Sequence, residues 1–324
     1  MRFRVFACAV VIAGVQLAQA SFELMYIPSV NDDKIYRFDP ANQVSLGSIN
    51  SLSPTSVLYR GGQFGAVTGA GGNHRYDMYS GINQTFLNSS NFSSIGEDGT
   101  TLFGMSGTNA FSSNLLGSGT VGSTALSTTF NMFSGVRLSN GNMVGLASDG
   151  TSIRPLMFSS VGAVISSLSV HNGITLAQGS NSILTTTNSG QVVFHSIYRD
   201  TTGTLRMFHV GLNSAQNAFA SSTVSLINSL TYNSTSVASL AVAHNGYYVV
   251  GSDASSVTST RITQFNNFGI VGTTIAAYTA PIDSRTTGTI FSVGMVIAPE
   301  PASFAVLGLG LVPFFKRRKK TSSP

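Results

Sequence analysis

Apolar positions in this chain come in short runs, with polar residues or glycine closing each one. Gln191-Val192-Val193-Phe194, Asn245-Gly246-Tyr247-Tyr248-Val249-Val250 and Asn142-Met143-Val144-Gly145 show the pattern. The runs are rich in β-branched and aromatic residues and are bounded by Gly, Asn, Asp and Ser, the signature of strands separated by tight turns. Few stretches carry the 3.6-residue apolar spacing of a helix. The body, residues 21–298, therefore reads as all-β and is long enough to bury a sizeable core. The stretch from Asn109 to Thr129 has few large apolar anchors and reads as the segment closest to disorder.

The runs repeat. Gly62, Gly141, Gly190 and Gly246 each open a strand, and Arg75, Arg154, Arg206 and Arg261 follow at offsets of 13, 13, 16 and 15. Asp98-Gly99 begins the same phrase without the arginine, and Lys34-Ile35-Tyr36-Arg37-Phe38 gives its second half alone. Successive glycines at 62, 99, 141, 190 and 246 lie 37, 42, 49 and 56 residues apart. Such periods predict a β-propeller of about six blades, because one small sheet cannot bury both faces alone. Each blade is expected to run turn, inner strand, turn, strand bearing Arg and Phe, outer strand. Ser21–Ile49 and the closing strand Thr289–Ile297 are expected to complete the ring. A β-sandwich or a less regular β-solenoid is the competing architecture. The phrase Lys34 to Asp39 is similar to blades of propellers in the NHL and WD-repeat group. The repeated arginines are expected on sheet edges, pairing with Asp or carbonyl groups and lying on a following aromatic ring.

Both ends of the chain depart from this pattern. Arg2 and Arg4 precede the apolar stretch Val5 to Val15, and Ala18-Gln19-Ala20 is a small-x-small site. That order predicts a signal peptide over residues 1–20, cut between Ala20 and Ser21, which engages the Sec export machinery and signal peptidase. At the other end, Pro299-Glu300-Pro301 precedes the apolar run Ala302 to Phe315 and then Lys316, Arg317, Arg318, Lys319 and Lys320. The two prolines fix φ and withhold backbone donors. The run would be about 21 Å long as a helix, against about 30 Å of hydrocarbon, and the basic cluster marks its cytoplasmic side. Pro313 interrupts the run near its end.

Residues 299–324 resemble the PEP-CTERM sorting signal of bacterial surface proteins. The resemblance implies a transient inner-membrane anchor, cleavage near Pro299-Glu300-Pro301 by an exosortase-type membrane protease, and delivery to the surface or medium of a Gram-negative bacterium. It also implies association with biofilm and exopolysaccharide.

Composition changes meaning once the ends are set apart. The formal charge of +5 falls to −1 for residues 21–298, with ten Lys and Arg against eleven Asp and Glu, so no nucleic-acid partner is indicated. The single cysteine, Cys8, lies in the signal peptide, which leaves the mature chain without thiol chemistry. His74, His171, His195, His209 and His244 match no zinc-binding spacing. His195 and His209 are placed to meet on neighbouring strands, where a solvated or structural role is the expectation.

Asp32, Asp33, Asp39, Asp77, Glu97, Asp98, Asp149, Asp200, Asp253 and Asp283 are the candidate carboxylates, and several sit in turns where Asp caps its own backbone. No phosphate loop or G-x-S-x-G elbow occurs. Neither a cofactor nor a metal is expected. Tyr76, Tyr247 and Tyr248 are candidate sugar-stacking residues. Four N-x-S/T sequons, at Asn83, Asn88, Asn91 and Asn233, arise easily in so Asn- and Ser-rich a chain. The reading is a non-catalytic surface or matrix protein. A secreted propeller hydrolase or lyase with an axial site is the alternative, and it would require Asp, His and Arg to converge at one mouth of the ring.

Overall fold

A computed structural model describes residues 21–51, 53–60, 63–70, 73–78, 84–87, 92, 94–97, 101–114, 121–169, 171–172, 176–226, 232–233, 238–256, 258–284 and 293–299. Residues 1–20, the expected signal peptide, and residues 300–324, the expected sorting segment, lie outside them. Among the described residues there is no helix, and so none long and apolar enough to cross a membrane.

The described strands form six sheets, antiparallel in the pairings between Ser21 and Ala280. The chain opens with β1 (Ser21–Ser29), β2 (Lys34–Asp39) and β3 (Val44–Asn50). A second sheet holds β4 (Pro54–Arg60), β5 (Gln63–Ala70), β6 (Asn73–Met78) and β7 (Gln84–Leu87). A third holds β8 (Ser94–Ile95), β9 (Thr101–Ser106), β10 (Asn109–Asn114) and β11 (Val121–Ala125). In the fourth are β12 (Asn131–Arg137), β13 (Met143–Ser148), β14 (Ser152–Phe158) and β15 (Val164–Ser167), with β16 (His171–Asn172) also paired to β14.

The fifth contains β17 (Leu176–Thr186), β18 (Val192–Asp200), β19 (Leu205–Leu212) and β20 (Phe219–Leu226). The sixth contains β21 (Ala238–Ala243), β22 (Gly246–Ser252), β23 (Thr260–Asn266) and β24 (Thr274–Ala280). The last strand, β25 (Gly294–Pro299), returns to the first sheet, whose order is β25-β1-β2-β3. Opening and closing segments thus share one sheet, though the closing strand lies a few residues later than the sequence indicated.

This is a β-propeller arrangement. First strands of neighbouring sheets lie against one another, β4 on β8, β8 on β12, β12 on β17 and β17 on β21. Each sheet also buries its faces against its neighbours. Val144, Met157, Phe194 and Phe208 join the fourth sheet to the fifth, and Ile183, Met207, Leu240 and Val249 join the fifth to the sixth. Met25, Ile27, Phe38, Val250 and Ile262 join the sixth to the first. Ile35 packs with Val57 across the first and second sheets, Leu58 with Leu102 across the second and third, and Met105 with Leu156 across the third and fourth.

Burial is graded across each sheet. The second strands β13 and β22 are buried throughout, whereas the fourth strands β15 and β24 are largely exposed. A strand covered on both faces loses the alternation of a half-exposed one and reads as a continuous apolar run. That is why the glycine-led strands dominate the sequence. They are the second strands, however, and not the innermost ones that the pattern suggested. A further first strand precedes each glycine turn, and in the third sheet it spans only Ser94–Ile95. At the turns, Gly141 and Gly190 adopt φ of +87° and +83°, where a side chain would be strained.

Two other expectations are corrected here. The Asn109–Thr129 stretch contains β10 and β11, paired through Ala110↔Thr124 and Phe111↔Ser123, because sheet pairing and a buried Ala110 substitute for large anchors. The arginines stand on third strands rather than on sheet edges: Arg37 on β2, Arg75 on β6, Arg154 on β14, Arg206 on β19 and Arg261 on β23.

Candidate functional site

The arginines are held as their chemistry predicts. Arg206 Nε pairs with Asp200 Oδ2 at 2.6 Å, Arg37 donates to the Leu46 carbonyl at 3.0 Å, and Arg154 lies over the Phe130 ring at 5.0 Å. Asp200 also accepts from the Thr202 and Thr204 amides, so it closes the turn between β18 and β19 as well as anchoring the arginine. Burial raises its carboxyl pKa, but the Thr202 and Arg206 bonds outweigh that and leave it lowered.

Most described carboxylates are tied to nearby turns. Asp149 accepts from the Thr151 and Ser152 amides, which hold its pKa near about 2. Asp253 accepts from Ser255 N and Thr279 Oγ1, and Asp39 from Ala41 N and Asn42 N. Asp33 accepts from Ser53 N, and Glu97 from Ser139 N. Asp32 accepts from Tyr36 at 2.8 Å; burial first, then this bond, pushes the phenol up to about 12. Asn31 donates to Asp283. Among the described residues no three of His, Cys, Asp and Glu cluster as a metal site. The side chains of His74, Arg75, Tyr76 and Asp77, together with Asp98, lie outside the described set.

Among the described residues, two buried imidazoles meet in the fifth sheet. His195 on β18 lies directly opposite His209 on β19, and both rings point towards the sixth sheet. Their Nδ1 atoms are 2.8 Å apart, and the rings cross at 88°. His195 Nε2 bonds Thr185 Oγ1 of β17 at 2.8 Å, and His209 Nε2 bonds Ser225 Oγ of β20 at 2.7 Å. All four strands of the sheet thus contribute one member to a single hydrogen-bonded chain.

The rings are 1% and 0% exposed, and the His195 ring packs 4.7 Å from the Tyr247 ring of β22. Tyr247 in turn stacks on Phe265 at 5.1 Å and donates its hydroxyl to the Val271 carbonyl. With both rings neutral, one Nδ1 donates and the other accepts, which fixes opposite tautomers on the two residues. Burial alone lowers His209 to about 4, and burial plus the neighbouring His209 holds His195 well below 6.5.

The meeting of His195 and His209 was readable from the sequence; their complete burial was not. Tyr247 and Tyr248, offered as exposed sugar platforms, are instead 1% and 2% exposed and belong to the core between sheets. They lie on the second strand β22, where both faces are covered. A second interior polar feature escaped the sequence altogether. Asn181, 2% exposed, donates Nδ2 to the Leu240 carbonyl at 2.6 Å and accepts from the Leu240 amide at 2.7 Å. The register break between Gly179 and Ser182 lets it depart from the β17–β18 ladder. Its amide then serves as a strand partner for the otherwise uncovered edge of β21.

No protein-family model matches the chain, and no curated protein matches it. Solved structures do. A protein of unknown function from Bacteroides caccae is similar over 85% of this chain and 99% of its own, at 12% identity and a TM-score of 0.54. A protein from Lactobacillus plantarum is similar over 85% and 99%, at 9% identity and a TM-score of 0.49. Hydrazine synthase of Kuenenia stuttgartiensis is similar over 79% and 83%, at 10% identity and a TM-score of 0.48. At such identities, the Bacteroides likeness speaks for the shared fold alone.

Proposed function

We propose that this chain is an exported, non-catalytic surface or matrix protein: a six-bladed β-propeller sorted by an exosortase-type protease and associated with exopolysaccharide. The observation that carries the reading is the three-part order of residues 299–324, a proline-bracketed acidic motif, an uncharged apolar run and five consecutive basic residues. Packing of a core helix gives no reason for such a basic block directly after the run. The proposed route is Sec export, removal of residues 1–20, a halt in the inner membrane through the C-terminal run, and cleavage near Pro299-Glu300-Pro301.

Two structural facts support the reading. β1 and β25, which hold the first and last described residues, are neighbours in one sheet, so both ends of the described body meet there. Cuts before Ser21 and after Pro299 leave every described strand in place. The count of six blades rests on the six sheets and on the apolar cluster between each successive pair. For the polysaccharide, the exposed outer strands β3 and β11 offer Ser, Thr and Asn groups suited to a hydrated, uncharged partner.

Pro301→Ala tests the sorting claim, because it alters the motif itself. The variant is expected to accumulate at full length, less its signal peptide, in the inner-membrane fraction, while the natural chain is released. Equal release of both overturns the claim.

A further inference from the structure

We propose that the His195–His209 pair is an acid-sensitive latch between the fifth and sixth sheets, closed while both imidazoles are neutral and opened by a proton. The geometry carries this. Two rings that are 1% and 0% exposed share an Nδ1–Nδ1 bond of 2.8 Å, and their outer nitrogens are satisfied by the hydroxyls of Thr185 and Ser225. A proton added to either ring converts its acceptor nitrogen into a donor. Protonating the accepting Nδ1 sets two N–H groups against each other. Protonating the accepting Nε2 confronts a hydroxyl that was donating to it; that hydroxyl must turn round, and the new charge still has no anion.

The surroundings offer a positive charge nothing. From β17 the pair meets Thr185, from β20 Ser225, and from β22 the Tyr247 ring, whose hydroxyl is committed to Val271 and whose ionisation burial opposes. No carboxylate among the described residues bonds to either imidazole. The charged side chains on the same strands stand further along and are engaged elsewhere. Arg199 donates to the Gly203 and Asn233 carbonyls, and Asp200 holds Arg206. Asp200 follows His195 by five residues, about 16 Å along the strand. On the sixth sheet, Asp253 is bonded to Ser255 and Thr279, Arg261 reaches Thr279, and His244 is exposed in the turn before β22. A charged imidazole can therefore gain solvation only by separating β18 and β19 from β22.

The sign follows from the direction of the perturbation. The folded histidines are depressed below the ordinary 6.5, so the closed state is fully favoured above that pH and loses ground as pH falls towards the folded value, about 4 for His209. One such histidine raises the opening equilibrium about a hundredfold between pH 7 and pH 4.

Amide hydrogen exchange of the full chain, followed from pH 7 to 4 and corrected for the intrinsic pH dependence, reads this out. Protection is expected to drop about a hundredfold or more in β18, β19, β21 and β22, and much less in β12–β14. The double variant His195→Gln/His209→Gln is expected to remove most of that difference. Unchanged protection in the natural protein at pH 4, or the same acid response in a folded double variant, overturns the latch. If the variant does not fold, imidazole resonances of the natural protein decide: both rings neutral at pH 5.5 support the latch, and either titrating near 6.5 refutes it.

Discussion

Asn181→Ala is expected to destabilise the propeller by about 2–4 kcal/mol. The cost has two parts. Both hydrogen bonds to Leu240 disappear; the Leu240 amide is left without a partner and its carbonyl keeps only the long 3.4 Å bond from Ser239 Oγ, at a combined cost of about 2–4 kcal/mol. A buried apolar replacement does not escape this, because the stranded groups belong to the backbone. Asn181→Asp should fare little better, since a carboxylate can accept from the Leu240 amide but cannot donate to its carbonyl. Urea denaturation followed by far-UV circular dichroism measures the loss. A change below about 1 kcal/mol would show that the edge of β21 finds another partner.

Ending the chain after Thr289 should have a still larger effect, because it removes the whole of β25. The first sheet would keep β1, β2 and β3 but lose the strand on the open side of β1. Val293, 5% exposed, and the buried Gly294 would go with it. So would the bond from the Val293 amide to Ser239 Oγ, which ties the closing segment to β21. Met25, Ile27 and Ile282 pack in the same cluster as Val293, and their burial depends on that closure. The truncated chain is expected to be aggregation-prone or protease-sensitive at 25 °C. A chain ending at Pro301 instead should unfold like the full-length body. Limited proteolysis of the two truncations side by side checks this, and equal resistance would mean that β25 is dispensable. The contrast bears on sorting, since only a cut at or beyond Pro299 leaves the closing strand intact.

Much of this architecture was legible in the chain. Glycine turns at 141, 190 and 246 mark the start of second strands, and arginines at 154, 206 and 261 mark third strands, because those positions carry fixed backbone or pairing duties in each sheet. Most first strands were not legible. β17, with Leu-Ala-Gln-Gly-Ser-Asn-Ser, carries small polar residues and no alternating apolar pattern. The drifting spacings count against a regular ring, and they reflect sheets of unequal size, from the two-residue β8 to the eleven-residue β17, as well as connections of unequal length.

The interior polar features divide in the same way. His195 and His209 could be aligned by counting along two consecutive strands with a short turn between them. Asn181 and Leu240 lie 59 residues apart on different sheets, and no local pattern links them. Tyr247 and Tyr248 were misplaced because a second strand is covered on both faces, so adjacent tyrosines are both buried there.

The central claim, export followed by removal of the C-terminal segment, is tested most directly by the intact mass of the protein recovered from each cell fraction. A species that begins at Ser21 and ends close to Pro299-Glu300-Pro301, found at the surface or in the medium, is the predicted result. A species that retains Lys316 to Pro324 in the membrane fraction, with no shorter form elsewhere, would contradict the account.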